Sequence, residues 1–436
     1  MQINKKLFTI LTVSFLSFVL AGCSILGYTL PFGKRKESTE KKQKTEVTLV
    51  YWSLFEDYQV LSPLFEEYQK ENPHIKIVFE QKDFDSLNSY KDSLLSKLVQ
   101  GEEKPDIIRI HQTWVPSFVS YLSPAPSNLI SVLDFQKDFY PSAQKSVIYS
   151  DKIYGMPLMF DSLALFYNKE IFDFAKVSPP STWSDFADLA VTLTKSSGKD
   201  IQVAGAAFGN ASNVAHFSDI ISLMMLQSGL ELPEDFTSPA MQDIIKFYTS
   251  FVKDTPVWSS DMAYSPLAFA QGKVAMMFGT SWRLLEILRE NPSLSVGVVP
   301  VPQAVSNNSL TNNNVTSFWV EGVNKSSKNS EEAWKLLVWL SQKEQLVKAF
   351  TNSSTIRPFG EPYPRISLKQ ELSTNPYLPS FFVNAENAEP SVFTDASGND
   401  QYVQILRNVI EGYLGGVNLE ELLKTAQQEY IRLQKE

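Results

Sequence analysis

One stretch constrains the fold of this chain more than any other. It runs from Tyr154 to Phe186, YGMPLMFDSLALFYNKEIFDFAKVSPPSTWSDF. A Gly-x-Pro turn, Gly155-Met156-Pro157, opens it. An apolar run follows from Leu158 to Tyr167, interrupted only by Asp161 and Ser162. A short apolar run bounded by a turn reads as a buried strand. An acid inside such a strand is costly unless something pairs with it, so Asp161 needs a partner from elsewhere. Then come Tyr167-Asn168-Lys169, a short apolar segment, Pro179-Pro180 and Thr182-Trp183. The last of these reads as a helix start, with Thr182 as N-cap and Asp185 three residues on.

The chain before this stretch alternates strands and helices. Thr48 to Trp52 reads as a first strand. A helix follows with Leu61, Leu64, Phe65 and Tyr68 on one face, ended by Asn72-Pro73. Ile75, Ile77 and Phe79 alternate as a second strand. A helix over about 85–100 ends at Gly101, and Pro105-Asp106-Ile107-Ile108 begins a third strand. This order argues for an α/β fold with a largely parallel sheet. After the stretch, helices are expected over 183–196, 216–228 and from Ser238-Pro239. Another begins at Ser265-Pro266 and ends at Gly272. Gly272-Lys273-Val274-Ala275-Met276 leads into a strand, with Trp282 soon after. Val296–Pro302 and Ser317–Val320 read as further strands, and 306–314 as an exposed loop. Helices are expected from Ser330 and over about 400–414 and 418–434.

These elements resemble, over about residues 46–436, the family 1 extracellular solute-binding proteins of ABC importers, the group that contains the maltose-binding protein. The shared features are Tyr-Gly-x-Pro, Tyr-Asn-Lys, Pro-Pro-x-Thr-Trp, the Asn-Pro-x-Ile-x-Ile strand, Pro-Asp-Ile-Ile and Gly-Lys-x-Ala-Met. The resemblance implies a two-lobed α/β fold of the type II periplasmic-binding-protein kind, with a ligand cleft under a hinge crossed several times. It places lobe I at 46–158 plus 317–370 and lobe II at 159–316 plus 371–436. It also implies function: capture of a solute, here a carbohydrate, and delivery to the permease subunits of the transporter, with no catalysis. A monomer is expected.

The N-terminus carries its own signal. Lys5-Lys6 precede an apolar run from Leu7 to Leu20, too short for a comfortable membrane span and shaped like a signal peptide. Leu20-Ala21-Gly22-Cys23 matches the bacterial lipobox. Residues 1–22 are therefore expected to be removed, with Cys23, the only cysteine in the chain, lipidated. Residues 23–45 read as a flexible tether able to span on the order of 25 Å. The protein is expected to sit outside the cytoplasm, lipid-anchored to the cell membrane. Residues 24–46 hold six bases and three acids, whereas 47–436 hold 31 bases and 45 acids. A basic tether fits an anionic membrane surface, or simply a soluble linker. An acidic body argues against nucleic acid as the main partner.

Sequence motifs for catalysis are lacking. There are three histidines, His74, His111 and His216, and no HExxH, GxxxxGK[ST] or GxSxG. No cofactor and no metal are expected. The competing reading is an extracellular glycan-cleaving lipoprotein with two carboxylates facing each other across a cleft.

The resemblance nominates ligand residues. Asp161 falls where the family has an acid that bonds sugar hydroxyls, the alternative being a hinge acid satisfied by backbone N–H groups. Trp282 falls at a ligand-stacking tryptophan, against core packing. Tyr402 lies near a late aromatic, and Glu56 follows the first strand, where the cleft begins or where a helix simply starts. Trp52, His111, Trp114 and Asn213 complete the candidates. His111 and Trp114 follow the third strand, and ligand loops gather at the carboxyl ends of parallel strands.

Overall fold

A computed structural model of the chain describes residues 45–198 and 200–435. Cys23, the signal segment and nearly all of the expected tether lie outside the described residues. Among the described residues no helix is long and apolar enough to cross a membrane.

The first strand, Val47–Ser53, pairs in parallel with Ile75–Gln81 on one side and with Ile107–His111 on the other. Helices Tyr58–Glu71 and Leu87–Val99 connect these strands. Each begins at a side-chain cap: Asp57 accepts from the Gln59 N–H, and Ser86 from the Ser89 N–H. Such caps satisfy N–H groups that the helix leaves orphaned. Gly101 follows the second helix at φ +71, as a helix C-terminus favours. Trp319–Val323 adds antiparallel to Ile107–His111, and Met156–Pro157 completes a five-stranded sheet.

A second, three-stranded sheet has Ala164–Asn168 at its centre. Met276–Gly279 and Val296–Val299 flank it, both antiparallel. Gly297 is required there, because a Cβ would meet the Tyr167 ring at 2.1 Å. The Trp183–Leu193 helix beside this sheet opens with the reciprocal Thr182–Asp185 capping box. Its Phe186 packs on Phe208 and Phe278, and Phe208 on Tyr248. Helix Pro239–Lys253 is capped by Ser238. The last two helices, Asp400–Leu414 and Leu419–Leu433, pack on each other. The segment expected as a plain loop carries a small exposed hairpin, Val305–Ser306 against Ser309–Leu310. Asn307 and Asn308 both take positive φ at its turn, as a tight hairpin requires. The architecture is α/β and two-lobed, built on these two sheets.

The run Leu158 to Tyr167 is not one strand. Met156–Pro157 belongs to the five-stranded sheet and Ala164–Asn168 to the three-stranded one. The residues between are the passage from one to the other. Phe160, Asp161, Ser162 and Leu163 are all buried, so the passage has the composition of a core strand. Its hydrogen bonds go elsewhere: the Phe160 N–H donates to the Pro362 carbonyl and the Leu163 N–H to that of Val315. Ser162 bridges Thr316 antiparallel, so the outgoing chain runs beside the returning segment Asn314–Thr316. Ala388–Pro390 lies parallel to that segment as a third extended strand. The chain near residue 370 forms a short 3-10 helix, Ile366–Leu372.

Candidate functional site

Asp161 sits at the centre of the passage with 0 % exposure. Its carboxylate accepts from the Ser281 N–H at 2.9 Å, the Ser281 hydroxyl at 2.8 Å and the Ser162 N–H at 2.9 Å. Ser281 opens the helix Ser281–Glu290, whose N-cap residue, Thr280, makes no side-chain cap bond. Asp161 supplies that cap from a distant part of the chain, and its charge lies at the favourable end of the helix dipole. Burial pushes its carboxyl up to about 7, against the lowering effect of the Ser281 and Ser162 donors. Both oxygens are engaged within the protein, so the geometry makes Asp161 a trans cap.

The next residue along the helix, Trp282, is 39 % exposed. The Arg283 guanidinium lies 4.0 Å from the centre of its ring, and the His216 ring meets it at 6.0 Å and 61°. Arg283 is itself tied down. Its Nε donates to His216 Nε2 at 3.1 Å, and its two terminal nitrogens donate to Glu286 and to the Tyr264 hydroxyl. His216 takes a left-handed backbone at φ 58, before the helix Phe217–Gln227. Its Nδ1 faces Asp219 Oδ2 at 2.8 Å, and its backbone N–H donates to Asp395. Burial raises the Asp219 carboxyl, with His216 acting to lower it.

The backbone of the same aspartate holds a second group of side chains. The Ser317 N–H donates to the Asp161 carbonyl at 3.1 Å, and the Ser317 hydroxyl lies 3.3 Å from His111 Nε2. His111 Nδ1 accepts from Thr113, which assigns the proton to Nε2. Burial, with the Lys91 charge as a smaller cause, pushes the His111 imidazole down to about 3, so it stays neutral. Trp319 meets His111 edge to face at 5.3 Å, and Phe55 meets Trp319 at 5.6 Å. Phe55 is 65 % exposed and left-handed at φ 63.

The remaining nominated residues make contacts of their own within the protein. Trp52 packs under Lys82 and Lys97 on the flank of the first sheet. Trp114 is fully buried behind Trp319, its Nε1 donating to the Ser397 carbonyl. Glu56 is buried against Arg109, which also holds Glu321 at 2.7 Å and the Leu54 carbonyl. Burial, then the Glu361 charge, pushes the Glu56 carboxyl up to about 7, against Arg109 and Arg357. Asn213 uses both ends of its amide on loop backbone and on Trp258. Tyr402 packs against Phe393 and Tyr430. Phe55, Trp319, Arg283 and His216 were not singled out from sequence. Each nonetheless lies beside a recognisable signal: the end of the first strand, the returning strand, Trp282 and a helix start.

Residues 52–346 match the family of bacterial extracellular solute-binding proteins. The chain belongs to that family. A putative binding protein from Brucella abortus is 27 % identical over 395 residues, which is 84 % of this chain and 88 % of that one. The multiple sugar-binding protein of Streptococcus mutans is 23 % identical, covering 71 % of this chain and 73 % of its own. Among solved structures, the sugar-binding protein MalE from Xanthomonas citri matches with a TM-score of 0.73 at 20 % identity. That match covers 89 % of this chain and 98 % of MalE. In this solute-binding protein two partly exposed aromatic groups, Trp282 next to Ser281 and Trp319 with Phe55 just beyond Ser317, flank the hydrogen bonds of Asp161. Rings of this kind offer flat apolar faces, and the partly exposed Ser317 hydroxyl beside them offers a fixed polar group.

Proposed function

We propose that this solute-binding protein captures a carbohydrate between Trp282 on one wall and Phe55 with Trp319 on the other. The observation that carries the reading is the joining of both walls at Asp161. Its side chain holds Ser281, next to Trp282, and its carbonyl holds Ser317, two residues from Trp319. A sugar ring has an apolar C–H face and a rim of hydroxyls, which suits aromatic platforms flanked by Ser317 and Tyr264, with neutral His111 behind Ser317. Sugars in the names of relatives support this, among them the multiple sugar-binding protein and a maltotriose-binding protein from Pyrococcus abyssi.

In this reading lobe I is 46–158 plus 317–370 and lobe II is 159–316 plus 371–436. The loaded protein closes around its ligand and passes it to the permease of an ABC importer, while lipid on Cys23 keeps it at the outer face of the membrane. The competing glycan-cleaving reading needs two carboxyl groups open to the ligand. Asp161 and Asp219 are instead buried and bonded to protein groups, and Asp395 is bonded to His216. A thermal-shift screen with neutral oligosaccharides, uronates, amino acids and polyols tests the proposal. A ligand that binds the folded state raises the melting temperature by mass action. Stabilisation by amino acids or polyols with none by any sugar would overturn the carbohydrate assignment.

A further inference from the structure

One face of the Trp282 indole is already occupied. Arg283, its neighbour in sequence, folds back so that its guanidinium lies 4.0 Å from the ring centre, yet Trp282 keeps 39 % of its surface exposed. A guanidinium in this position is attracted to the ring face. It also restricts the indole, because the groups that hold it are themselves fixed. Arg283 is 7 % exposed. It donates to His216 Nε2, Glu286 and the Tyr264 hydroxyl, at 3.1, 2.8 and 2.9 Å. Asp395 lies 3.7 Å from one of its terminal nitrogens.

The bond to His216 is the demanding one. Arg283 Nε carries a proton and has no acceptor capacity, so His216 Nε2 must present its lone pair. The remaining ring proton is then on Nδ1, where Asp219 Oδ2 accepts it at 2.8 Å. Asp219 also accepts from the Asp395 N–H, and Asp395 from the His216 N–H. The charged and titratable groups facing His216 are therefore Asp219, Asp395 and Arg283. Together they set one tautomer and one ring orientation.

We propose that Arg283 and His216 are positioning residues of the ligand site: His216, oriented by Asp219, holds the Arg283 guanidinium against one face of Trp282 so that the rest of the indole is presented to the ligand in a fixed orientation. This rests on the reading of Trp282 as the ligand platform. It also assigns the guanidinium of Arg283 to the protein's own groups, so an acidic sugar gains no free cation from it. A platform fixed before the ligand arrives avoids the entropy cost of ordering it on binding.

The test has one arm without ligand and one with it. In the first, the Trp282 indole N–H resonance is assigned by its loss in Trp282→Phe and followed in the variants. Arg283→Met and His216→Leu are expected to shift and broaden it. His216→Gln, which keeps an acceptor near the position of Nε2, is expected to restore it. In the second, affinity is measured by calorimetry for maltotriose and mannotriose, using whichever binds the parent. Arg283→Met and His216→Leu are expected to weaken binding about tenfold, with recovery in His216→Gln. If Arg283→Met fails to fold, Tyr264→Phe removes one of the Arg283 bonds and is followed in the resonance arm alone, because Tyr264 itself flanks the platform. An unmoved Trp282 resonance in these variants overturns the proposal, as does His216→Gln behaving like His216→Leu. Parental affinity in Trp282→Ala would instead overturn the platform reading and leave the ligand-free arm to decide the positioning role. Loss of affinity in Trp282→Ala with none in Arg283→Met overturns the positioning role alone. If neither sugar binds the parent, the resonance arm decides.

Discussion

Asp161 caps the helix that begins at Ser281, from 120 residues away in sequence. The bond joins the passage between the two sheets to the helix that carries Trp282. Asp161→Asn removes one acceptor oxygen and turns an amide N–H₂ toward a site populated by donors. The expected cost is about 1–3 kcal/mol of stability, the usual penalty for a buried polar group left unmatched. Thermal or urea denaturation measures it. Unchanged stability with lost sugar affinity would return Asp161 to the role of a direct ligand contact.

Trp282→Ala and Phe55→Ala are expected to weaken sugar binding without loss of fold, because both side chains are substantially exposed. For Trp282 the loss should reach ~10²-fold, the scale of an aromatic anchor. Calorimetry on folded variants checks it, and parental affinity in both would move the site elsewhere.

Stability should depend on pH through three buried groups acting in opposite senses. Glu56 and Asp161 are raised to about 7 in the fold, from ordinary values of 4.5 and 3.8. The folded state therefore holds protons that the unfolded state has released. The stability they contribute is fully present below those ordinary values and is lost as pH rises through about 7. His111 is lowered to about 3 from 6.5, so its contribution is present above 6.5 and is lost as pH falls below it. Glu56→Gln removes one of the two carboxyl terms. Between about pH 5 and pH 7 its melting temperature should fall less than that of the parent, by an amount on the order of 1–3 kcal/mol in stability. Parallel curves would mean that Glu56 titrates normally.

Cys23→Ser is expected to release the protein from membranes or to leave an uncleaved precursor. Fractionation and mass determination check this. Unchanged size and membrane retention would rule out lipidation at this residue.

Local signals carried much of the fold. The Thr182–Asp185 box, the Ser238 cap and the alternation of Ile75, Ile77 and Phe79 act over a few residues and appear in the structure where the sequence put them. The passage through Asp161 was not legible, because an apolar connector buried between two sheets has the same composition as a strand buried in one. The partner of Asp161 was hidden for a related reason, since Ser281 reaches it only through the tertiary fold. Among the site residues, Trp52 drew attention by residue type while Phe55, three positions on, meets Trp319. Alternation along a strand does not say how the chain turns after its last residue, and the positive φ of Phe55 is what aims its ring. Arg283 was passed over because a charged residue in a helix usually points to solvent, whereas here it folds back on its neighbour.

Under the proposed site, the contrast between Phe55 and Glu56 has a consequence for ligand preference. Adjacent residues divide the labour. Glu56 is sunk into the Arg109–Glu321 cluster and fixes the loop, while Phe55 is about two-thirds exposed beside Trp319. A mutation at Phe55 can therefore exchange a ring for a smaller or more polar surface without loosening the loop that displays it. In the proposed reading, ligand preference is adjusted at this position while the Arg109–Glu321 cluster behind it keeps the loop in place.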